Sequence, residues 1–350
     1  MNKGFYLLLT AAMTLSALSL QAGKVIKVLA IGNSFSRDAV EQNLYELAHA
    51  QGDSLVIGNA YIGGCSIDRH WNNVLTGKRD YQYRKIVGGT LTNRKHMNIE
   101  DIVVDEPWDI ITVQQCSPTS GLDTSYTHLY DLVNYVRNMA TNTRAKIGFH
   151  KTWAYAQSST HKAFPNYHCN QFEMFRSIQQ AVHKEVDPNV FAMVIPCAEA
   201  IQMGRAELGD TLCKDGYHLS VACGRYIAAC TWCEVLTGKD VTLNSWHPAF
   251  LNPQSAAVAR RAAHQAVAQE QSDKIQPCCW ADGLFFERMP RHASRAKKKK
   301  LKCNGRKIVA LTYRTPLPDS LKCLALPDYK VGDGAAWQEV IQKKLKLKNQ

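Results

Sequence analysis

Strands and helices alternate along this chain, and that alternation predicts an α/β fold: a five-stranded parallel sheet with helices on both faces, a three-layer α/β/α sandwich. Two observations carry the prediction. Short apolar runs recur, each followed within a few residues by a segment of helical periodicity. The loops just after those runs collect Gly, Ser, Asn, Gln and His, as expected where a parallel sheet turns its carboxyl edge toward a ligand. Right-handed crossovers would then sort the helices into two layers.

The first run, Val28 to Ile31, ends at Gly32-Asn33. Val40, Leu44, Leu47 and Ala48 follow at i, i+4, i+7 and i+8, so one amphipathic helix is expected there. Ser34 stands on the tight turn between strand and helix. A helix N-terminus adds partial positive charge and free N–H groups at that point. Ser34 therefore reads either as a nucleophile whose own N–H helps hold an oxyanion, or as a helix-capping serine.

Ser54 to Ile57 is the second strand, leading to Gly63-Gly64, where backbone can approach a ligand closely. Residues 78–97 are polar, with Gly88-Gly89 read as a turn between two short strands outside the five of the parallel sheet, and Asn98 caps a short helix. Trp108 to Val113 is the third strand, with Gln114 and Gln115 at its end; a helix follows over 125–141. Ala145 to Phe149 is the fourth strand, ending in His150-Lys-Thr-Trp153, and residues 170–186 form a helix. Val190 to Ile195 is the fifth strand. A short helix near 198–205, the loop Asp215-Gly-Tyr-His218, a helix over 221–237 stopped by Gly238, and a last helix over 253–270 complete the body.

The ends differ from this body. Lys3 and the apolar stretch Phe5 to Leu20, closed by Gln21-Ala22-Gly23, read as a secretory signal over residues 1–22. Export to the periplasm or the extracellular space follows, and the mature chain holds no segment apolar and long enough to span a membrane. Of the formal net charge of +12, residues 271–350 carry +11, with eighteen Lys+Arg against seven Asp+Glu. The near-neutral body argues against a nucleic-acid surface. The tail, with Lys297 to Lys300, reads as a basic appendix, disordered or a small module, beyond a domain over 23–270. The twelve cysteines show no framework or metal spacing. Cys230-Thr-Trp-Cys233 lies in a helical run and reads as core.

Asp215 and His218 are close enough for one loop to present both. The carboxylate can accept from one imidazole nitrogen, leaving the other to take a proton from a nucleophile. Gly-Asn-Ser after strand one, Gly-Gly after strand two and Asp-x-x-His after the last strand together resemble the SGNH (GDSL-like) hydrolase superfamily. Gly-Asn-Ser-Phe-Ser, Gly-Gly-Cys-Ser and Trp-Asp-Ile-Ile-Thr-Val-Gln-Gln look most like an uncharacterised branch of it found in exported bacterial proteins. The resemblance covers roughly residues 24–270 and none of the tail. It implies a flavodoxin-like sandwich and a serine esterase needing no cofactor or metal, with Ser34 as nucleophile, His218 as base and Asp215 as its orienting partner. The oxyanion would be held by the Ser34 and Gly64 N–H groups and a side-chain amide. The superfamily's Gly-x-Asn-Asp block for that amide is missing here, so Gln115, or else Gln114, is expected to supply it.

Asn33, Gly63, His70, Gln114, His150 and Trp153 are expected to line the substrate site. Deacetylation of acylated carbohydrate is the function expected first. The alternatives are a non-catalytic carbohydrate-binding or surface protein that keeps the fold, and a protein whose basic tail binds anionic polymers.

Overall fold

The computed structural model of the chain describes residues 23–275, 299–303 and 306–310. The expected signal segment over residues 1–22 and most of the expected appendix lie outside the described residues. The strands are β1 (Val25–Gly32), β2 (Ser54–Tyr61), β3 (Tyr81–Val87), β4 (Thr90–Met97), β5 (Ile110–Val113), β6 (Lys146–His150) and β7 (Met193–Ile195). They form a single sheet in the order β4-β3-β2-β1-β5-β6-β7.

The five expected strands are the parallel part, β2-β1-β5-β6-β7. In their own sequence order this is 2-1-3-4-5, the flavodoxin-like doubly wound arrangement. The sheet has seven strands, however, not five. Residues 78–97 form an antiparallel hairpin, β3 on β2 and β4 on β3, that extends one edge. Central β1 and β5 are covered on both faces and so read as continuous apolar runs. Edge strand β4 is exposed along nearly its whole length and carries Thr, Asn, Arg, Lys and His, which leaves little apolar alternation to mark it as a strand.

The helices are α1 (Ser34–Val40), α2 (Leu44–Ala50), α3 (Ile67–Thr76), α4 (Ile99–Val103), α5 (Leu129–Met139), α6 (Gln171–Glu185), α7 (Cys197–Leu208), α8 (Gly224–Thr237) and α9 (Pro253–Ile275). The step from β1 to β2 runs in one direction and the steps from β2 to β5, β6 and β7 in the other, so right-handed crossovers place their helices on opposite faces. In agreement, α8 packs on α1, α2, α7 and α9, while α3 packs on α4 and α5.

The single helix expected after β1 is broken in two. Asn43 takes a left-handed φ of 68°, and the break frees two side chains for tertiary bonds. Glu41 accepts from Asn59 and Arg84, and Gln42 accepts from Arg225. Helix α9 extends beyond residue 270, and Glu270 on it pairs at 2.7 Å with the wholly buried Lys151, which also meets Glu199 at 2.8 Å. In the tail, β8 (Lys299–Cys303) and β9 (Arg306–Ala310) pair as an antiparallel hairpin.

Candidate active site

The winding of the sheet reverses between β1 and β5, and the loops at their carboxyl ends form the crevice where ligands bind in such sheets. Ser34 leaves β1 there as the first residue of α1. Asn33 caps the helix: its Oδ1 accepts from the Phe35 N–H at 3.0 Å. The cap is thus the asparagine, not Ser34, and the Ser34 hydroxyl is half-buried with no hydrogen bond among the described residues. Gly32 is required at the strand end, because a Cβ there would lie 2.6 Å from Ser36 Oγ and 2.9 Å from the Gln114 amide.

Asp215 and His218 form the pair the sequence suggests. Asp215 Oδ2 lies 2.7 Å from His218 Nδ1, and Oδ1 accepts from the backbone N–H groups of Tyr217 and His218. Partial burial works against the carboxylate charge, but the His218 ring and the two N–H groups outweigh it and hold Asp215 below the usual carboxylate range. His218 Nε2 has no hydrogen-bond partner among the described residues. The loop is closed by bonds from Lys214 N to His218 O and from Ser220 N to Leu212 O. Gly216 turns it at φ 87°, where a side chain would also strike Ser159.

Two sets of contacts bind this loop to the helix that Ser34 begins. The Asp38 carboxylate, four residues past Ser34 and fully buried, accepts from the Leu219 N–H at 2.9 Å and meets Arg225 Nη2 at 2.7 Å. Burial raises the Asp38 pKa even though Arg225, His218 and Arg37 favour its charge. Phe35 sets its ring edge-on to His218 at 6.1 Å and stacks flat on Trp153 at 4.2 Å, and the Trp153 indole N–H donates to Tyr217 O. Asp38, Arg225 and Phe35 are absent from the sequence expectations. A single Asp on a short helix looks like a surface residue, and nothing in its spacing reveals a partner about 190 positions away.

The remaining expectations divide. Asn33 is buried, and its Nδ2 donates to Cys65 O at 2.9 Å, joining the loops after β1 and β2. Gly63 and Gly64 are exposed at the end of β2, and Gly64 has open space where a side chain would stand. Gln115 does not present its amide to the site. Its Nε2 donates to both the carbonyl and the hydroxyl of Ser125, and its Oε1 accepts from Ile67 N and Cys116 N. The glutamine that faces the Ser34 turn is Gln114, whose Nε2 donates to Asn33 Oδ1 at 3.0 Å. His70 lines no site either: it is fully buried, bonded to the Tyr81 hydroxyl at 2.9 Å, and burial pushes its pKa down to about 3. His150 and Trp153 are also buried beneath the surface layer rather than lining it.

Tyr217 and His161 continue the aromatic surface beside His218, backed by the fully buried Tyr155. The Tyr217 ring centroid is 4.2 Å from His218 and 4.7 Å from His161. Away from this loop, His264 Nδ1 lies 2.8 Å from Glu234 and 3.3 Å from Asp240, a cluster at the α8–α9 junction with donor atoms close enough to share a cation. Among the described residues no helix is long and apolar enough to cross a membrane.

The fold and this site define a doubly wound α/β protein with a serine at its switch point and an Asp–His pair on the loop tied to the serine's helix. Residues 27–266 match the family described as Domain of unknown function (DUF4886), and the chain belongs to that family. It is similar to a crystal structure of a DUF4886 family protein from Bacteroides uniformis, at 46% identity and a TM-score of 0.67, covering 70% of this chain and 95% of that one. It is also similar to Axe2, an acetylxylan esterase from Geobacillus stearothermophilus, at 14% identity and a TM-score of 0.39, covering 62% of this chain and 97% of that one. A member of the lipolytic protein G-D-S-L family from Veillonella parvula is similar at 13% identity and a TM-score of 0.38, covering 61% and 98%. No curated protein matches.

Proposed function

We propose that this protein is an exported serine ester hydrolase acting on acylated carbohydrate. Ser34 Oγ attacks the ester carbonyl while His218 Nε2 takes its proton. The tetrahedral intermediate collapses, and His218 returns the proton to the departing alcohol. Water then repeats the sequence on the acyl-serine, releasing the acid and restoring the hydroxyl. Asp215 accepts the Nδ1–H and stabilises the imidazolium that forms in each half-reaction. The Ser34 and Gly64 N–H groups hold the oxyanion.

The observation that carries this reading is the Asp215–His218 pair at 2.7 Å, on a loop bonded through Asp38 to the helix that Ser34 opens. A binding protein has no need for an aspartate that fixes an imidazole tautomer while the second nitrogen stays free. The partly exposed rings of Tyr217 and His161 near His218 support the substrate class, since such amphipathic rings offer an apolar face with a polar edge. The signal pattern of residues 1–22 supports export.

The test is labelling with a fluorophosphonate probe together with turnover of an aryl acetate and an acetylated oligosaccharide. Wild type should label at one serine and turn over both esters. Ser34→Ala should abolish labelling, and Ser34→Ala and His218→Ala should each remove nearly all turnover, because triad members act as a unit. Asp215→Asn should remain folded and lose about 10⁴-fold in kcat. Labelling that persists in Ser34→Ala would overturn the assignment.

A further inference from the structure

We propose that His150, buried one layer below the surface, is a positioning residue for this hydrolysis, acting through Gln114 and Asn33 to set the spacing of the two backbone N–H groups that receive the oxyanion. The proposal rests on the ester-hydrolase reading above. The chain of bonds runs from His150 Nδ1 to Gln114 Oε1 at 2.8 Å, from Gln114 Nε2 to Asn33 Oδ1 at 3.0 Å, and from Asn33 Nδ2 to Cys65 O at 2.9 Å. Its members are almost wholly buried.

The polarity of this chain is fixed from one end. The Phe35 backbone N–H can only donate, so the Asn33 atom it meets at 3.0 Å is the oxygen. Asn33 Nδ2 must then face Cys65 O. The Gln114 atom that meets the same Asn33 oxygen must be its NH2 group, which turns Gln114 Oε1 toward His150. An oxygen there requires a hydrogen on His150 Nδ1. Burial pushes the His150 pKa down to about 3, so at neutral pH the ring carries a single proton, and Nδ1 is its place. His150 Nε2 is then bare, with no hydrogen-bond partner among the described residues, in a pocket of Trp153 and Trp232 rings.

The reach of this network is what gives it a role. Asn33 immediately precedes Ser34, and Cys65 immediately follows Gly64. The Asn33–Cys65 bond therefore sets the separation of the two loops that carry the oxyanion donors. A histidine unable to donate would free Gln114 to turn over, and Asn33 would lose the bond that holds its own amide. Oxyanion donors act through fixed position, and a displacement of about 1 Å can cost about a hundredfold in rate.

Two measurements on the full chain test this. Long-range ¹H–¹⁵N spectra, with the His150 signal assigned by its loss in His150→Gln, should show the Nδ1–H tautomer of a neutral ring from pH 7 to pH 5. An Nε2–H tautomer, or an imidazolium at pH 5, would overturn the proposal. In kinetics, His150→Phe should lower kcat on an aryl acetate by about a hundredfold with KM within about twofold, and His150→Gln, whose amide can donate, should recover much of it. Should His150→Phe fail to fold, Gln114→Glu serves instead, because its carboxylate has no hydrogen for Asn33 Oδ1; the same loss of kcat is expected. A His150→Phe or Gln114→Glu enzyme with kcat near wild type, or a His150→Gln enzyme no better than His150→Phe, overturns the relay alone. Wild type that neither labels with fluorophosphonate nor turns over ester overturns the site reading beneath it.

Discussion

Gln114 and Gln115 point to opposite sides of the chain, as successive residues of an extended segment must. That rule allows only one of them to face Ser34, and it is legible in the sequence. Which one is not, because nearness to the carboxyl edge does not decide orientation. The loop after β5 does: it folds back so that Ser125 offers both its carbonyl and its hydroxyl to the Gln115 amide. Gln115 also accepts from the N–H groups of Ile67 and Cys116, so it ties the start of α3 to the loop beyond β5. Gln115→Ala would leave those buried donors unpartnered, at about 1–3 kcal/mol for each group. The expected outcome is a lower melting temperature with kcat within a few-fold of wild type. A hundredfold loss of kcat in a variant that melts like wild type would return Gln115 to the reacting centre. The placement of Ser34 at a strand-to-helix turn and the Asp215–His218 bond were readable for a different reason: each depends on residues within a few positions of one another.

Among elements, the junction of α1, the 212–220 loop and α8 is what joins the helix that Ser34 begins to the loop that carries His218. Its centre is the buried Asp38–Arg225 pair at 2.7 Å, with Asp38 also holding Leu219 N–H and Arg225 donating to Leu219 O and Gln42. Removing one member of a buried pair leaves the other's charge without compensation, which costs about 3–5 kcal/mol, while replacing both with well-packed apolar groups is often near neutral. Arg225→Met should therefore melt much earlier than wild type and lose kcat, because the loop that presents His218 loses its anchor. Adding Asp38→Leu should restore most of the melting temperature but not kcat, since Leu219 N–H then loses its acceptor as well. A double variant as unstable as Arg225→Met would show that the pair matters to packing and not to charge balance; the thermodynamic cycle over the four proteins separates the two. None of this junction was visible in the sequence. Its partners are distant along the chain, and α1 itself was merged with α2, because Asn43 breaks the helix by backbone conformation without interrupting the apolar period.

For the molecule as a whole, the parallel sheet was legible because strands buried on both faces must be apolar throughout, whereas the β3–β4 hairpin was legible as two short strands about Gly88-Gly89 but not as part of the sheet, because its polar residues give no sign of which edge it joins. The same compact interior sets the response to acid. Burial holds His70 and His150 down to about 3, and burial with the nearby Lys151 charge holds His183 down to about 4. In the unfolded chain each titrates near the ordinary value of about 6.5. A histidine whose folded pKa is depressed contributes its full stability above the unfolded pKa. Below about 6.5 the unfolded chain binds protons that the folded chain refuses, so stability falls with pH until the folded ring also titrates, at about 1.4 kcal/mol per pH unit for each proton. Asp105 responds lower down. Burial opposes its charge, but Lys85, Tyr83 and Arg94 hold it down to about 2, so its contribution is fully present above the ordinary carboxylate value and is lost progressively as pH falls from there through about 2. The melting temperature should therefore drop steadily between pH 6.5 and pH 4, before the Asp105 cluster begins to fail. His183→Gln, which takes one titrating group out of both states, should flatten that descent relative to wild type. Calorimetry at half-unit steps from pH 7.5 to pH 4 decides it, and wild-type and His183→Gln curves that run parallel would mean that His183 titrates alike in the folded and unfolded chains.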